Sequence, residues 1–198
     1  MPEAQTIALD PANGTLYLAL TNLTIIKSAD GGRTWTPLVT VPGPPSLLTV
    51  SIGGVLHVTQ PLTLTDSYAF HFDNSGQIVY GTAFGGWYTS TTAAALGSNG
   101  HLFLGGSTGG GLPLSNAWQS NFGGRTDGFV AEFDAGGALL NSTYLGGTLD
   151  ENISALIPQD DGSVIVVGFS ASKEFLSQFQ PSPIGGGNYF ILRLVPNL

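Results

Sequence analysis

The 198-residue sequence predicts an all-β fold, and three observations carry that prediction. An apolar run, a Gly-containing turn and a second apolar run recur four times; the runs are short and rich in β-branched and aromatic residues; and long helical periodicity is absent. The turn and second strand read N-G-T-L-Y-L-A-L from Asn13, G-G-V-L-H-V-T-Q from Gly53, N-G-H-L-F-L-G-G from Asn99 and D-G-S-V-I-V-V-G from Asp161. With the residue after each turn glycine as a marker, the copies begin at Thr15, Val55, His101 and Ser163. They lie about 40, 46 and 62 residues apart, near the period of four-stranded propeller blades. The expected architecture is a β-propeller of about four four-stranded antiparallel blades in a single domain spanning 1–198, with blades near 6–41, 46–86, 92–147 and 152–198.

Aligning the copies places each strand. First strands are Thr6 to Asp10, Ser46 to Val50, Ala93 to Gly97 and Ser154 to Pro158. Third strands are Thr24 to Lys27, Tyr68 to Asp73, Gly128 to Asp134 and Tyr189 to Leu194; fourth strands are Thr36 to Val41, Ile78 to Gly85 and Leu140 to Gly147. The intervening N-G, D-G, N-S-G and A-G-G sequences are tight-turn chemistry. Copies three and four carry longer insertions after the second strand, each with room for one helical turn, around Ser115 to Gln119 and Glu174 to Gln178. The fourth copy has no fourth strand, so the last blade is incomplete. An open edge invites pairing with another chain. Closure is then open between a compact four-bladed ring, a larger propeller completed by missing chain or by a second copy, and a filament.

Composition narrows the function classes. Hydrophobic residues make up 42% and charged residues 9%, which excludes a disordered chain. The net charge of -8 leaves five basic residues, Lys27, Arg33, Arg125, Lys173 and Arg193, scattered singly. A phosphate-backbone binder clusters such residues, so nucleic acid and anionic membrane surfaces are not the expected partners. No apolar stretch approaches the roughly 18 residues of a membrane span. The absence of cysteine excludes disulfides, thiolate nucleophiles and cysteine-based zinc sites. Low lysine with abundant Thr, Ser and Gly fits an extracellular or cell-surface bacterial protein, and M-P-E-A-Q shows no leader, which would lie outside this sequence.

Two signatures sit on this lattice. S-A-D-G-G-R-T-W, Ser28 to Trp35, resembles the Asp-box, or BNR repeat, of sialidases and other propellers, through Ser28, Asp30, Gly32, Thr34 and Trp35. Its physics is that of a hairpin turn: Asp30 accepts turn amides, Gly31 and Gly32 permit positive φ, and Trp35 packs back on the sheet. The second signature runs from T-D-G-F-V-A-E-F-D-A-G-G-A-L-L-N-S-T-Y-L-G-G, Thr126 to Gly147, through D-G-S-V-I-V-V-G-F-S-A-S to F-Q-P-S-P-I-G-G-G-N-Y-F-I-L-R-L. It resembles the SBBP-type bacterial β-propeller repeat, and copy two keeps a degenerate form. The resemblance implies a bacterial extracellular propeller, often a module of a larger surface protein, with no catalytic residues to carry over.

At each candidate site chemistry competes with a scaffold role. A sialidase-like site needs three substrate-clamping arginines, yet only three exist and Arg33 lies within the Asp-box turn. General glycoside hydrolysis needs two facing carboxylates. Glu132 and Asp134, at i and i+2 on one strand, and the neighbours Asp150 and Glu151 are the candidates, against solvated acids at blade edges. His57, His71 and His101 show no metal-ligand spacing, and His57 and His71 fit half-buried strand positions. Calcium could use the oxygens of D-N-S-G, D-A-G-G and Q-D-D-G, but none forms an EF-type loop, so no metal or other cofactor is assigned. The glycine clusters lack a phosphate-loop ending. Asn13, Asn22, Asn141 and Asn152 match the glycosylation sequon, as chance allows in such a composition. Trp87, Tyr88 and Trp118 are the candidate ligand- or partner-binding residues, with packing between blades as their competing role. The expected function is a non-catalytic extracellular module for protein or glycan binding or for structural assembly, including self-association through open blade edges. The alternative is a carbohydrate-active enzyme.

Overall fold

The computed structural model describes residues 2–41, 47–50, 56–62, 66–72, 77–176 and 188–195. Their contacts group them into two compact units, Met1–Leu62 with Ser67–Ala83, and Thr63–Asp66 with Phe84–Leu198. In the first unit β1 (Ala4–Leu9), β2 (Leu16–Leu20), β3 (Thr24–Ser28) and β4 (Thr36–Thr40) form one meandering sheet. A second such sheet is built from β5 (Leu47–Val50), β6 (Leu56–Leu62), β7 (Asp66–Phe72) and β8 (Ile78–Phe84). The second unit contains a sheet of β9 (Ser90–Leu96), β10 (Leu102–Thr108), β11 (Asp127–Phe133) and β12 (Leu139–Leu145). Its other sheet has three strands, β13 (Glu151–Pro158), β14 (Val164–Ser170) and β15 (Asn188–Leu194). Strand pairing is antiparallel and sequential within each sheet. Among the described residues the four antiparallel sheets, the last with three strands, match the all-β class and strand order that the repeat register predicts.

The insertions behave differently. The turn expected at Glu174 to Gln178 begins as α1 (Lys173–Leu176), and residues 177–178 lie outside the described set. The turn expected at Ser115 to Gln119 does not form. Ser115 instead exchanges both backbone hydrogen bonds with Ser142 on β12, the Gln119 carbonyl accepts from the Tyr144 amide, and Asn116 takes φ 46°. A strand edge offering unpaired N–H and C=O groups outcompetes one isolated helical turn, whose nucleation is unfavourable. The insertion thereby covers the outer edge of β12.

The Ser28–Trp35 turn has the expected physics. Asp30 Oδ1 accepts the amides of Arg33 and Thr34, both at 2.9 Å, and the Ser28 hydroxyl at 2.8 Å; Oδ2 accepts the Thr34 hydroxyl at 2.6 Å. Gly31 and Gly32 sit at φ 73° and 89°, and the Trp35 indole N–H donates to the Gly32 carbonyl at 3.0 Å. These donors hold the Asp30 carboxyl well below the usual carboxylate range. Asp30→Ala is expected to release the Arg33 and Thr34 amides to fast hydrogen exchange while the β1–β2 amides stay protected; unchanged exchange at both would show that the carboxylate does not hold the turn.

Each unit has its own core. Tyr17, Ala19, Ile25, Val41 and Phe72 are buried together in the first. In the second, Phe103, Val130 and Leu145 of one sheet meet Ile153, Leu156, Val164, Val166, Phe190 and Leu192 of the other, and Phe175 of α1 packs against Phe190. Each such aliphatic or aromatic side chain contributes about 1.5–3 kcal/mol by leaving water. Along β14 and β15 these inward residues alternate with Ile165, Val167, Phe169, Tyr189 and Ile191, so both faces of the last sheet are apolar.

Candidate functional site

Three features of the second unit bear on function. The first is the turn between β8 and β9, which displays Trp87 and Tyr88, each 68% exposed. Buried threonines fix it. The Thr89 hydroxyl accepts the Gly86 amide at 2.8 Å and meets the Thr108 hydroxyl at 3.0 Å, and Thr108 accepts the Gly110 amide at 3.2 Å. Trp87 itself donates to the Gly110 carbonyl at 2.8 Å and accepts from the Gly109 amide at 2.6 Å. Tyr88 is held at φ 53°, a left-handed conformation costing a non-glycine residue roughly 1–2 kcal/mol. Neither ring is packed between sheets.

The second feature is a shallow, open groove between the two sheets of this unit. Phe103, Val130, Val164 and Leu194 make its apolar floor and walls, and Trp118, 48% exposed, and Asn116 from the insertion form a rim. Its one acid is Glu132, nearly buried, with Oε1 at 2.8 Å from His101 Nδ1 and Oε2 accepting from the Asn141 side-chain amide. Glu132 thus ties the β9–β10 turn to β12. Asp134 does not join it: the residue lies just beyond β11, and its Oδ1 accepts the amides of Gly136 and Ala138 at 2.9 and 2.8 Å. The same-face pair expected from i, i+2 spacing fails because the hairpin turn claims the second carboxylate.

The third feature is a pair of buried carboxylates, Asp127 and Glu151, that both close on Gly146 of the Y-L-G-G segment. Asp127 accepts the amides of Gly123 and Gly124 at 2.9 and 3.1 Å and the Gln119 side-chain amide at 3.2 Å. Glu151 accepts the Gly147 amide at 2.8 Å and the Ser170 hydroxyl at 2.7 Å. Burial pushes the Asp127 carboxyl up to about 6, the negative charge of Glu151 adds to this, and the Gly123 amide opposes it. Asp150 turns away, pairing with the exposed Arg125 at 3.2 Å and accepting the Thr126 hydroxyl.

The remaining candidates are dispersed. His71 is half-buried with its ring edge against Tyr80, whereas the His57 side chain and the D-N-S-G turn lie outside what is described. Asp161 of Q-D-D-G accepts the Ser163 amide and hydroxyl and pairs with Arg193. Among the described residues no three His, Asp or Glu side chains come together as a metal cage requires. Trp118 lines the groove and Trp87 and Tyr88 do not, so the three aromatics serve two features. The aromatic residues were legible in the sequence; the groove was not, because its walls come from residues as far apart as Phe103 and Val195.

No protein-family profile and no curated protein matches the sequence. Among solved structures the chain is similar to the WD40 repeats of RRP9, at TM-score 0.55 and 11% identity, over 85% of this chain and 48% of that one. It is similar also to U3-55K, at TM-score 0.54 and 12% identity, over 85% and 46%. The chain spans about half the length of these structures. The likeness shows the fold: an all-β chain of propeller blades.

Proposed function

We propose that this chain is a non-catalytic binding and assembly module of an extracellular bacterial surface, one propeller lattice of the SBBP type with a single Asp-box, taking protein or glycan ligands at Trp87, Tyr88 and Trp118 and requiring no cofactor. The observation that carries the binding half is the Trp87–Tyr88 turn. Two large aromatic rings in water and a left-handed tyrosine each cost the fold free energy, and the surrounding threonine network would serve a Gly or Asn equally well. Strain and exposure retained together at a rigid turn are what a binding platform requires, since aromatic faces stack on sugars and anchor peptides. The carbohydrate-active reading has less support. It needs two carboxylates facing one substrate, and Glu132 stands alone in the groove, its oxygens engaged by His101 and Asn141.

Titration of the intrinsic tryptophan fluorescence with soluble glucan, mannan and chitin oligosaccharides and with extended peptides tests this. A saturable change is expected for one class and is expected to fall at least tenfold in affinity in Trp87→Ala with Tyr88→Ala. Melting should change by only about 0.5 kcal/mol for such exposed positions. Hydrolysis of any of these glycans that is abolished in Glu132→Gln would overturn the non-catalytic reading.

A further inference from the structure

The two terminal blades each leave one apolar sheet face uncovered among the described residues. On the last blade the outward residues form cross-strand rows, Ala155–Val167–Ile191 and Ile157–Ile165–Arg193, flanked by Phe169 beside Tyr189. Tyr189 and Ile191 are 79% and 74% exposed. Arg193, the one charge in these rows, is paired with Asp161 and hydrogen-bonded to the Ser163 hydroxyl. On the first blade the face opposite the Tyr17–Ile25 core carries Ile7–Leu18–Ile26 and Leu9–Leu16, with Ile7 and Leu9 58% and 55% exposed. A soluble sheet that ends an assembly alternates apolar and polar residues, whereas a sheet covered on both faces reads as a continuous apolar run. V-I-V-V-G-F and Y-F-I-L-R-L are such runs.

We propose that these faces are an interface between two copies of this chain, the outward face of the last blade of one copy stacking on the outward face of the first blade of the other. The proposal rests on the assembly half of the proposed function and is independent of ligand binding at the aromatic residues. Two arguments favour a second copy. The stacking continues one already present, because the opposite face of β14 and β15 packs in the same way on Phe103, Val130 and Leu145 of the preceding blade. The contact is heterologous, so each copy offers both halves of it; pairing last blade with last blade would leave Ile7 and Leu9 in water. The contact is thus made by sheet faces, where a fourth strand on β15 would add only an edge.

The test is solution mass by light scattering across a concentration series, on the wild-type chain, Ile191→Arg and Ile7→Glu, with circular dichroism and melting to verify that both exposed substitutions leave the fold intact. Wild type is expected at twice the 20.4 kDa chain mass. Each variant alone is expected to weaken association at least tenfold, and an equimolar mixture of the two, retaining one good face each, is expected to recover a two-chain species. A wild-type monomer at every concentration would overturn the proposal and leave these faces to further blades of a longer chain. Ile7→Glu remaining a dimer would overturn the heterologous contact in favour of last blade on last blade, and masses that grow beyond two chains would overturn the two-copy arrangement in favour of a filament. Loss of ligand-induced fluorescence change with mass unaltered would count against the binding half of the proposed function alone.

Discussion

Gly106→Ala is expected to disrupt the sheet of β9 to β12 and to lower stability by about 3 kcal/mol or more. A Cβ at this position would lie 1.9 Å from the Ser90 carbonyl oxygen, 2.9 Å from its carbon and 3.0 Å from Thr91 Cα. All three are backbone atoms of β9, which pairs with β10 through a register shift between Gly105 and Gly106. No rotamer change can make room, so the strands must part. Gly105→Ala is the control. Its Cβ would meet side-chain atoms of Ile153 and Leu156 at 2.9–3.3 Å rather than the backbone of a paired strand, so the strands need not part and a smaller loss of about 1–2 kcal/mol is expected. Thermal denaturation followed at the aromatic bands checks both, with a fall of roughly 10 °C for Gly106→Ala. Melting within a degree of wild type would show that the close approach is not maintained in solution.

The second large effect is a pH dependence centred on Asp127. Its carboxyl titrates at about 6 in the folded chain against an ordinary 3.8, because burial and then Glu151 disfavour the charge. The sign follows from linkage: a group whose folded pKa is raised contributes stability that is full below 3.8 and is lost as pH rises through 6. Acidification from neutrality to pH 4 therefore stabilises the fold through this group by about 2 kcal/mol. Asp161 and Glu174 have lowered values, set chiefly by hydrogen bonds from Ser163 and Thr148, and withdraw stability only below the ordinary carboxylate range. Asp127→Asn should lose the rise between neutrality and pH 5. It should also be less stable in acid by about 1–3 kcal/mol, since an amide cannot accept from Gly123, Gly124 and Gln119 together. Parallel pH profiles of melting for the two proteins would remove Asp127 from this role.

Much of the fold was legible because its signals are local. Gly-containing turns fix where strands reverse, and continuous apolar runs fix which segments bury two faces, so four, four, four and three strands could be counted from residue order. The Ser28–Trp35 turn was legible for the same reason, since its donors and acceptors lie within four residues of one another. The insertion at Ser115 was not, because its structure is set by the edge of β12, 27 residues further along. Glu132 and Asp134 show the same limit. Alternation along a strand placed them on one face, and the end of β11 one residue before Asp134 separated them.

By itself, then, the sequence determined the class of fold, the number of strands in each blade and the chemistry of its tight turns, all consequences of interactions between residues near in the chain. Tertiary structure alone decided which carboxylates are buried together, which aromatic residues stand in water and which sheet faces remain uncovered. Those properties depend on packing between segments remote in sequence. Asp127 near Glu151, Trp118 beside Glu132, and the exposed row at Tyr189 and Ile191 carry no mark in their own neighbourhoods.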